Sequence, residues 1–228
     1  MNRSRTLPVA VVSLTAATAL LLTGCGGGGD EKDSGKDKIA GADEGGAKKS
    51  ASPSSDASAD AKIDRPEMKF PSDVDLTFDK VSLSDADQAA AWNDAQNYAR
   101  AIEYGIVKQD AGDAGYKFYS EIGSPAQSYA KKQIKDHIDA GYTVTGERRY
   151  TDVKVETVSK KKTVAVTFCT NDNKLFGKEV KSEKVLRTKP SIKDYSSWQI
   201  SMTASKQTKG LWRADLIKVE GESQQCMG

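Results

Sequence analysis

The sequence predicts an α+β domain in its C-terminal part, with N-terminal helices packed on a curved antiparallel sheet. Two observations predict this class. The three Trp, eight Tyr and five Phe residues all lie at or beyond Phe70, so residues 1–69 lack the large apolar side chains that a core requires. The apolar residues then recur with a helical period up to Gly141 and with a period of two after it. A single domain over residues 84–228 is therefore expected.

The first helix is predicted to begin at Ser84-Asp85-Ala86-Asp87, where an N-cap residue precedes an acidic residue three positions later. The chain then contains no Gly or Pro up to Tyr104. Its apolar residues follow three- and four-residue steps, which indicates an amphipathic helix: Trp92, Ala95, Ala99, Ile102 and Ile106.

Two further helices are expected before Gly141. A short one covers Ala114 to Glu121. The next begins at Ser124-Pro125, where proline suits the first helical turn, and ends at Ala140-Gly141 with a glycine stop.

The strands are predicted from alternating apolar and polar residues, which are typical of an antiparallel sheet with one covered face. A hairpin with Lys160–Lys162 at its tip and two later strands separated by Lys209-Gly210 account for most of them. We expect residues 170–193 to form a functional loop, a short extra hairpin or a structural flap over one end of the sheet. The apolar positions of these alternating runs are Val153, Val155, Val164, Val166, Phe168, Trp198, Ile200, Met202, Ala204, Trp212, Ala214 and Leu216.

Residues 1–24 have the form of a secretory signal peptide, with Arg3 and Arg5 ahead of an apolar run from Leu7 to Leu22. A transmembrane helix is the alternative, but the run has about 16 residues where about 20 are needed. Removal of this segment would take two of the 34 basic residues and leave 32 against 32 acidic residues, so the formal charge of +2 belongs to the signal.

The sequence Leu22-Thr23-Gly24-Cys25 resembles the lipobox of bacterial lipoproteins. In that family the chain is cleaved before the cysteine, whose thiol receives a diacylglycerol and whose amine can be acylated by a fatty acid such as palmitate. The resemblance implies that Cys25 anchors the protein to the extracellular face of the cell membrane, with two acyl chains giving stable attachment. A cysteine that stands at a secretory cleavage site by chance is the alternative.

Residues 25–64 are predicted to be a disordered linker, because they consist mainly of Gly, Ser, Ala, Asp and Lys. A flexible coil of this length reaches about 35 Å. Residues 65–83 have more apolar side chains and are expected to be an extended lead-in segment that lies against the domain.

Cys169 and Cys226 are predicted to form a disulfide, since export permits one and Cys25 is reserved for lipid. Two buried free thiols are the alternative. A zinc site is not expected, because one His and two Cys at no recognised spacing do not supply four ligands.

The order of three helices and then an antiparallel meander resembles the NTF2-like cone fold over about residues 84–220. Residues 98–119, residues 166–186 and the terminal cysteine are also similar to uncharacterised lipoproteins of actinobacteria. That family brings no activity with it, so the resemblance implies fold and location only.

His137 is the candidate for chemistry, because enzymes on the cone fold usually place a His or Asp acid/base in the pocket between helices and sheet. It lies at the edge of the apolar stripe of its helix and could face a cavity near Tyr116, Tyr119 or Tyr142. The alternative is a boundary histidine that is hydrogen-bonded to the sheet. The neighbouring carboxylates, Asp136 and Asp139, are expected to face solvent.

Catalysis has little other support in the sequence. It contains no Ser-His-Asp order, nucleophile elbow, phosphate loop or metal-ligand cluster, so we predict no cofactor and no enzyme activity.

Residues 147–193 carry 13 basic and 6 acidic side chains, an excess that can attract anionic lipid or wall polymers. The candidate contacts are Arg148, Arg149, Lys160, Lys161 and Lys162. A solvated hairpin tip or a charged sheet edge that prevents aggregation explains these residues equally well.

Two functional hypotheses remain. The first is a lipid-anchored extracytoplasmic binding or accessory domain of the cell envelope, whose partners are the membrane and another envelope protein or anionic polymer, with no role for nucleic acid. The alternative is a carrier or enzyme for a small apolar molecule in the cone pocket, with His137 and a tyrosine as its polar groups.

Overall fold

Three helices come before most of the strands in the computed structural model, which describes residues 63–159 and 162–228. A first strand, β1 (Val74–Phe78), precedes the helices α1 (Ala86–Lys108), α2 (Ala114–Phe118) and α3 (Pro125–Ala140). The predicted signal peptide, Cys25 and the linker up to residue 62 lie outside the described residues. In the described ranges, no helix is both long and apolar enough to cross a membrane.

The remaining strands complete a curved, open sheet of six strands in the order β1-β2-β3-β5-β6, with β4 paired to the far end of β3. Neighbouring strands are antiparallel except for β1 and β2, which are parallel. The predicted α+β class, with helices on a curved and mainly antiparallel sheet, is confirmed. The strands are β2 (Tyr142–Ser159), β3 (Thr163–Glu179), β4 (Val185–Leu186), β5 (Tyr195–Ala204) and β6 (Trp212–Gly221).

The ends of the long helices follow from local sequence. Asp85, rather than Ser84, caps α1 by accepting the Gln88 N–H at 2.9 Å. Ser124 caps α3 by accepting the Gln127 N–H at 3.0 Å, and Gly141 ends it in the left-handed conformation with φ 75°. The prediction for the third helix is therefore confirmed at both ends.

The predicted C-terminus of the short second helix is wrong, since the helix ends at Phe118 and not at Glu121. The chain there bonds to the sheet instead. The Ala214 N–H donates to the Tyr119 carbonyl at 2.8 Å, and the Glu121 N–H donates to the Ala214 carbonyl at 2.9 Å. These two bonds satisfy backbone groups that a longer helix would have used.

The β2–β3 hairpin is longer than predicted, with strands of 18 and 17 residues. Residues 170–179, expected within a loop, a short extra hairpin or a flap, continue β3. Their end pairs with β4 in a short antiparallel hairpin, as the second of these alternatives predicted. Register shifts lie between Glu147 and Arg149 and between Thr151 and Lys154. Such bulges bend a strand and increase its twist, so they help to curve the sheet around the helices.

The core lies between the helices and the concave face of the sheet. Tyr98 is fully buried there, and its hydroxyl donates to the Ala126 carbonyl at 2.7 Å. The side chains that fill this layer are apolar and almost inaccessible to solvent: Ala91, Ala95, Ala99, Ile102, Ile134, Val164, Val166, Phe168, Ile200 and Met202.

The lead-in segment belongs to the folded unit. Beyond the pairing of β1 with β2, Arg65 forms an ion pair with the fully buried Asp94 of α1. Asp94 also accepts the Trp212 N–H at 2.8 Å. Burial raises the pKa of Asp94, and the Trp212 N–H and Arg65 oppose that effect. One buried carboxylate thus connects the lead-in segment, α1 and the start of β6.

The predicted disulfide is confirmed. Cys169 of β3 and Cys226 near the C-terminus are joined, with their Cα atoms 5.4 Å apart and both residues buried. The bond holds the C-terminal segment after β6 against the sheet.

Candidate functional site

A cavity of about 740 Å³ lies between α1, α3 and the curved sheet. Its volume is within the range of small-molecule pockets. Helices supply one side of it, and strands β2, β3, β5 and β6 supply the other. Its wall is divided about equally between polar and apolar groups, and its larger apolar or aromatic side chains are Ile102, Ile106, Tyr129, Tyr142, Val144, Leu175, Phe176, Leu186, Trp198 and Val219.

An ion-pair cluster of three residues from three elements lies in this wall. Arg148 of β2 donates to both carboxylate oxygens of Asp172 of β3, from Nε at 2.6 Å and from Nη2 at 2.7 Å. The Nη1 of Arg148 donates to Oε1 of Glu103 on α1. We call Glu103, Arg148 and Asp172 the carboxylate–arginine cluster.

The second oxygen of Glu103, Oε2, is buried and has no hydrogen-bond partner among the described residues. Glu103 is only 3% exposed, so solvent water has little access to this oxygen. Burial raises the pKa of Glu103, and the charge of Arg148 is the main effect that opposes it. A buried oxygen without a partner costs free energy, and a bound ligand group would remove that cost.

His137 lines the same cavity, together with Tyr129 and Tyr142. A positive charge on His137 would lower the pKa of Glu103. The prediction that His137 is hydrogen-bonded to the sheet is wrong, because its Nδ1 lies 2.8 Å from the Gln133 carbonyl oxygen of its own helix. Of the three tyrosines expected near it, Tyr142 lines the cavity.

The other two tyrosines lie elsewhere. Tyr116 is buried beneath α1 and donates its hydroxyl to the Ala111 carbonyl at 2.9 Å, and Tyr119 packs near Arg65. Asp136 lies at the cavity rim and pairs with Lys132 of its own helix at 2.5 Å. Asp139 pairs with Lys135 in the same way.

Of the proposed polyanion contacts, the structure describes Arg148, Arg149 and Lys162. Arg148 points into the cavity, is 15% exposed and is occupied by two carboxylates, so it is not available to an external polymer. Its neighbour Arg149 is 52% exposed and points to the other face of the strand. Lys162 lies in the turn that precedes β3, and Lys160 and Lys161 are outside the described residues.

Metal binding has no support in the described ranges, where no three His, Cys, Asp or Glu side chains are grouped to hold an ion. The carboxylate–arginine cluster has only two carboxylates, and its guanidinium occupies the position that a cation would take.

Comparison with known proteins gives a weak structural likeness. No known family model matches the chain, and no curated protein matches it. A protein of Shewanella frigidimarina NCIMB 400 that is provisionally named as a ketosteroid isomerase matches with 10% identity and a TM-score of 0.33. The match covers 59% of this chain and 97% of that one. A likeness of this strength carries no conclusion about activity, so the site is interpreted from its own geometry.

Proposed function

We propose that the protein is a lipid-anchored domain of the cell envelope that binds a small, largely apolar molecule with one polar group. The observation that carries the proposal is the cavity of about 740 Å³, whose wall combines apolar and aromatic side chains with the buried Glu103 and its unpartnered oxygen. Ligand sites in proteins combine apolar surface with placed polar groups.

The geometry favours a prepared site over an accidental gap in packing. Arg148 fixes the orientation of Glu103, and Asp172 in turn fixes Arg148 through two parallel hydrogen bonds. An oxygen held in this manner keeps its position before a ligand arrives, so binding requires little further ordering of side chains.

The anchored location rests on the sequence alone, namely the lipobox-like Leu22-Thr23-Gly24-Cys25 and the polar linker that follows it. We expect radiolabelled palmitate to enter the wild-type protein in growing cells and not the Cys25→Ala variant. Equal labelling of both proteins would contradict the anchor.

Acid–base catalysis is the second candidate, because His137 and Glu103 line one cavity with Tyr129. We favour binding, since the carboxyl oxygen nearest to Arg148 is already engaged and Nδ1 of His137 is used by its own helix. Conversion of a bound molecule by the wild type, lost in His137→Asn, would favour catalysis instead.

The binding proposal is tested by closing the cavity. Gln133 lines it from α3, so Gln133→Trp should place an indole inside, whereas Lys131→Trp puts the same side chain on an exposed part of that helix. Full-length proteins would be purified from membranes in detergent, and the small molecules that accompany them would be extracted and identified by mass spectrometry.

We expect one compound in near-stoichiometric amount with the wild type and with Lys131→Trp, and at least tenfold less with Gln133→Trp. Equal recovery from all three proteins would mean that the compound binds outside the cavity. Near-UV circular dichroism of the two variants would confirm that both are folded.

A further inference from the structure

The charges of the cavity point to the polar group that it accepts. We propose that the ligand is an organic cation, a protonated amine on an apolar body, whose ammonium group binds Oε2 of Glu103. This inference rests on the proposed function, since it names the class of ligand for the same cavity.

The first argument is the charge balance of the carboxylate–arginine cluster. The two hydrogen bonds from Arg148 to Asp172 form a complete fork-to-fork pair, in which one positive charge meets one negative charge. Glu103 adds a second carboxylate to the same guanidinium. With both acids ionised, the cluster carries one negative charge more than positive charge.

Most of the other charged lining side chains are balanced in pairs. Lys193 and Asp194 are adjacent lining residues of opposite charge, and Asp136 is paired with Lys132. A positive charge on His137 would partly compensate Glu103. With His137 neutral, the surplus stays at Glu103, where an unpaired buried charge is costly.

The second argument is the position of the surplus negative charge within the cluster. Oε2 of Glu103 is buried and lacks a partner in the described part of the chain, and Glu103 lines the cavity. Burial raises the pKa of this carboxyl, which expresses the same lack of compensation. An ammonium group donates hydrogen bonds and brings a positive charge, so it supplies both things that Oε2 is missing.

The aromatic wall suits the same ligand. Tyr129 and Trp198 meet edge to face with ring centroids 5.9 Å apart, and both line the cavity. The face of an aromatic ring attracts organic cations, and the attraction increases where water is excluded.

An anionic head group fits less well, because every guanidinium nitrogen of Arg148 already donates to a carboxylate. A carboxylate ligand would also lie against Glu103 and Asp172. A neutral hydroxyl would bind only by hydrogen bonding and would leave the surplus charge in place.

Three probes with one apolar body separate these cases: 4-phenylbutylamine, 4-phenylbutanol and 4-phenylbutyrate. Their affinities would be measured by isothermal titration calorimetry on the full-length protein in detergent. The occluded Gln133→Trp variant serves as the reference for partition into micelles. Glu103→Gln removes the surplus charge and keeps the shape, and Asp172→Asn removes one negative charge from the cluster by another route.

We expect 4-phenylbutylamine to bind the wild type at least tenfold more tightly than 4-phenylbutanol. Both Glu103→Gln and Asp172→Asn should weaken the amine about tenfold, and Glu103→Gln should change the affinity for the alcohol by less than about threefold. If Glu103→Gln does not fold, the affinity of Asp172→Asn for 4-phenylbutylamine tests the inference by itself.

The other outcomes are distinct. Equal affinity for amine and alcohol, both lost in Gln133→Trp, would overturn the cation inference and leave the proposed function standing. Tightest binding of 4-phenylbutyrate would overturn it as well. Indistinguishable heats for wild type and Gln133→Trp with all three probes would count against the cavity as a binding site altogether.

Discussion

Arg148 and Arg149 show how much the environment of a single residue decides its role. They are neighbours in β2 with the same chemistry, but Arg148 is held between two carboxylates at the cavity and Arg149 is half exposed, with Glu147 at 3.9 Å. A buried charge that loses its partner is far more costly than an exposed one.

We therefore expect Arg148→Met to destabilise the protein by about 3–5 kcal/mol, since it leaves Glu103 and Asp172 without their shared cation. The matched change Arg149→Met should cost less than about 0.5 kcal/mol. Urea unfolding followed by tryptophan fluorescence measures both. A similar loss for the two variants would show that the cluster does not contribute to stability in this way.

Glu103 should make stability depend on pH. Its pKa is raised in the folded protein, so its contribution is fully present below the pKa of an unfolded glutamate and is lost as the pH rises through the folded pKa. The Glu103→Gln variant has no ionisable group at this position, so its stability does not fall with pH for this reason. Relative to wild type, the variant should gain stability as the pH rises from the pKa of an unfolded glutamate, about 4, through the raised pKa of Glu103 in the fold.

Unfolding free energies of both proteins across that pH series test the sign. The variant minus wild-type difference should increase with pH. A difference that decreases with pH would mean that the carboxylate is favoured in the fold, and that Arg148 outweighs burial.

At the level of elements, the long β2–β3 hairpin takes its curvature from β2, and Gly146 is the position where the backbone depends on glycine. Its φ is 106°, a conformation that residues with a side chain rarely adopt. A Cβ at this position would lie 2.0 Å from the Lys174 carbonyl oxygen of β3. The close pairing of the two strands at the cavity end thus requires the absence of a side chain.

Gly146→Ala should destabilise the protein by about 3 kcal/mol or more, because strain and a backbone clash act together. Gly177→Ala in β3 is the control, since its Cβ would meet only the Leu186 Cδ1 at 4.0 Å. Thermal unfolding should show a large drop in Tm for the first and a small change for the second. Equal changes would indicate that β2 can relax around a side chain.

The elements that the sequence predicted well are those whose signal is local. Helix α3 has Ser124-Pro125 at its start and Gly141 at its end, and the paired apolar residues of β3 and β5 alternate strictly. By contrast, the end of α2 and the continuation of β3 beyond Thr170 depend on partners far along the chain, β6 and β2. Periodicity alone does not contain these contacts.

The same reasoning explains the candidate site. His137 is predicted near a cavity because it lies at the edge of the apolar stripe of its helix, and Tyr142 is one of the three tyrosines that the sequence offers as its neighbour. Glu103 and Asp172 were missed, since charged residues are expected to be exposed unless a partner is known. A signal existed for Glu103, which follows the buried Ile102 and lies three residues before the buried Ile106, at the edge of the apolar face.

At the scale of the whole molecule, the disulfide links two distant parts of the chain covalently. It joins residues 57 positions apart and holds the end of the chain on β3. Its effect comes mainly from restricting the unfolded chain, which loses conformational freedom when a long loop is closed.

Replacing both cysteines by alanine should lower the free energy of unfolding by about 4 kcal/mol, within the usual range of about 2–5 kcal/mol. Cys25→Ala is the control and should leave this quantity unchanged. Intact mass after alkylation without reductant should show no alkylated Cys169 or Cys226 in the wild type. Alkylation of both would contradict the bond.

Strand β1 changes where the folded unit begins. It pairs with residues Gly146 to Tyr150 of β2, and it stands ahead of all three helices in the chain. Without it, that stretch of β2 would present unpaired backbone groups at a sheet edge, a surface on which other chains can add strands. Any proteolytic cut between Phe78 and α1 would therefore separate β1 from the rest of the domain. It would allow β1 to leave and expose a template for aggregation beside the cavity.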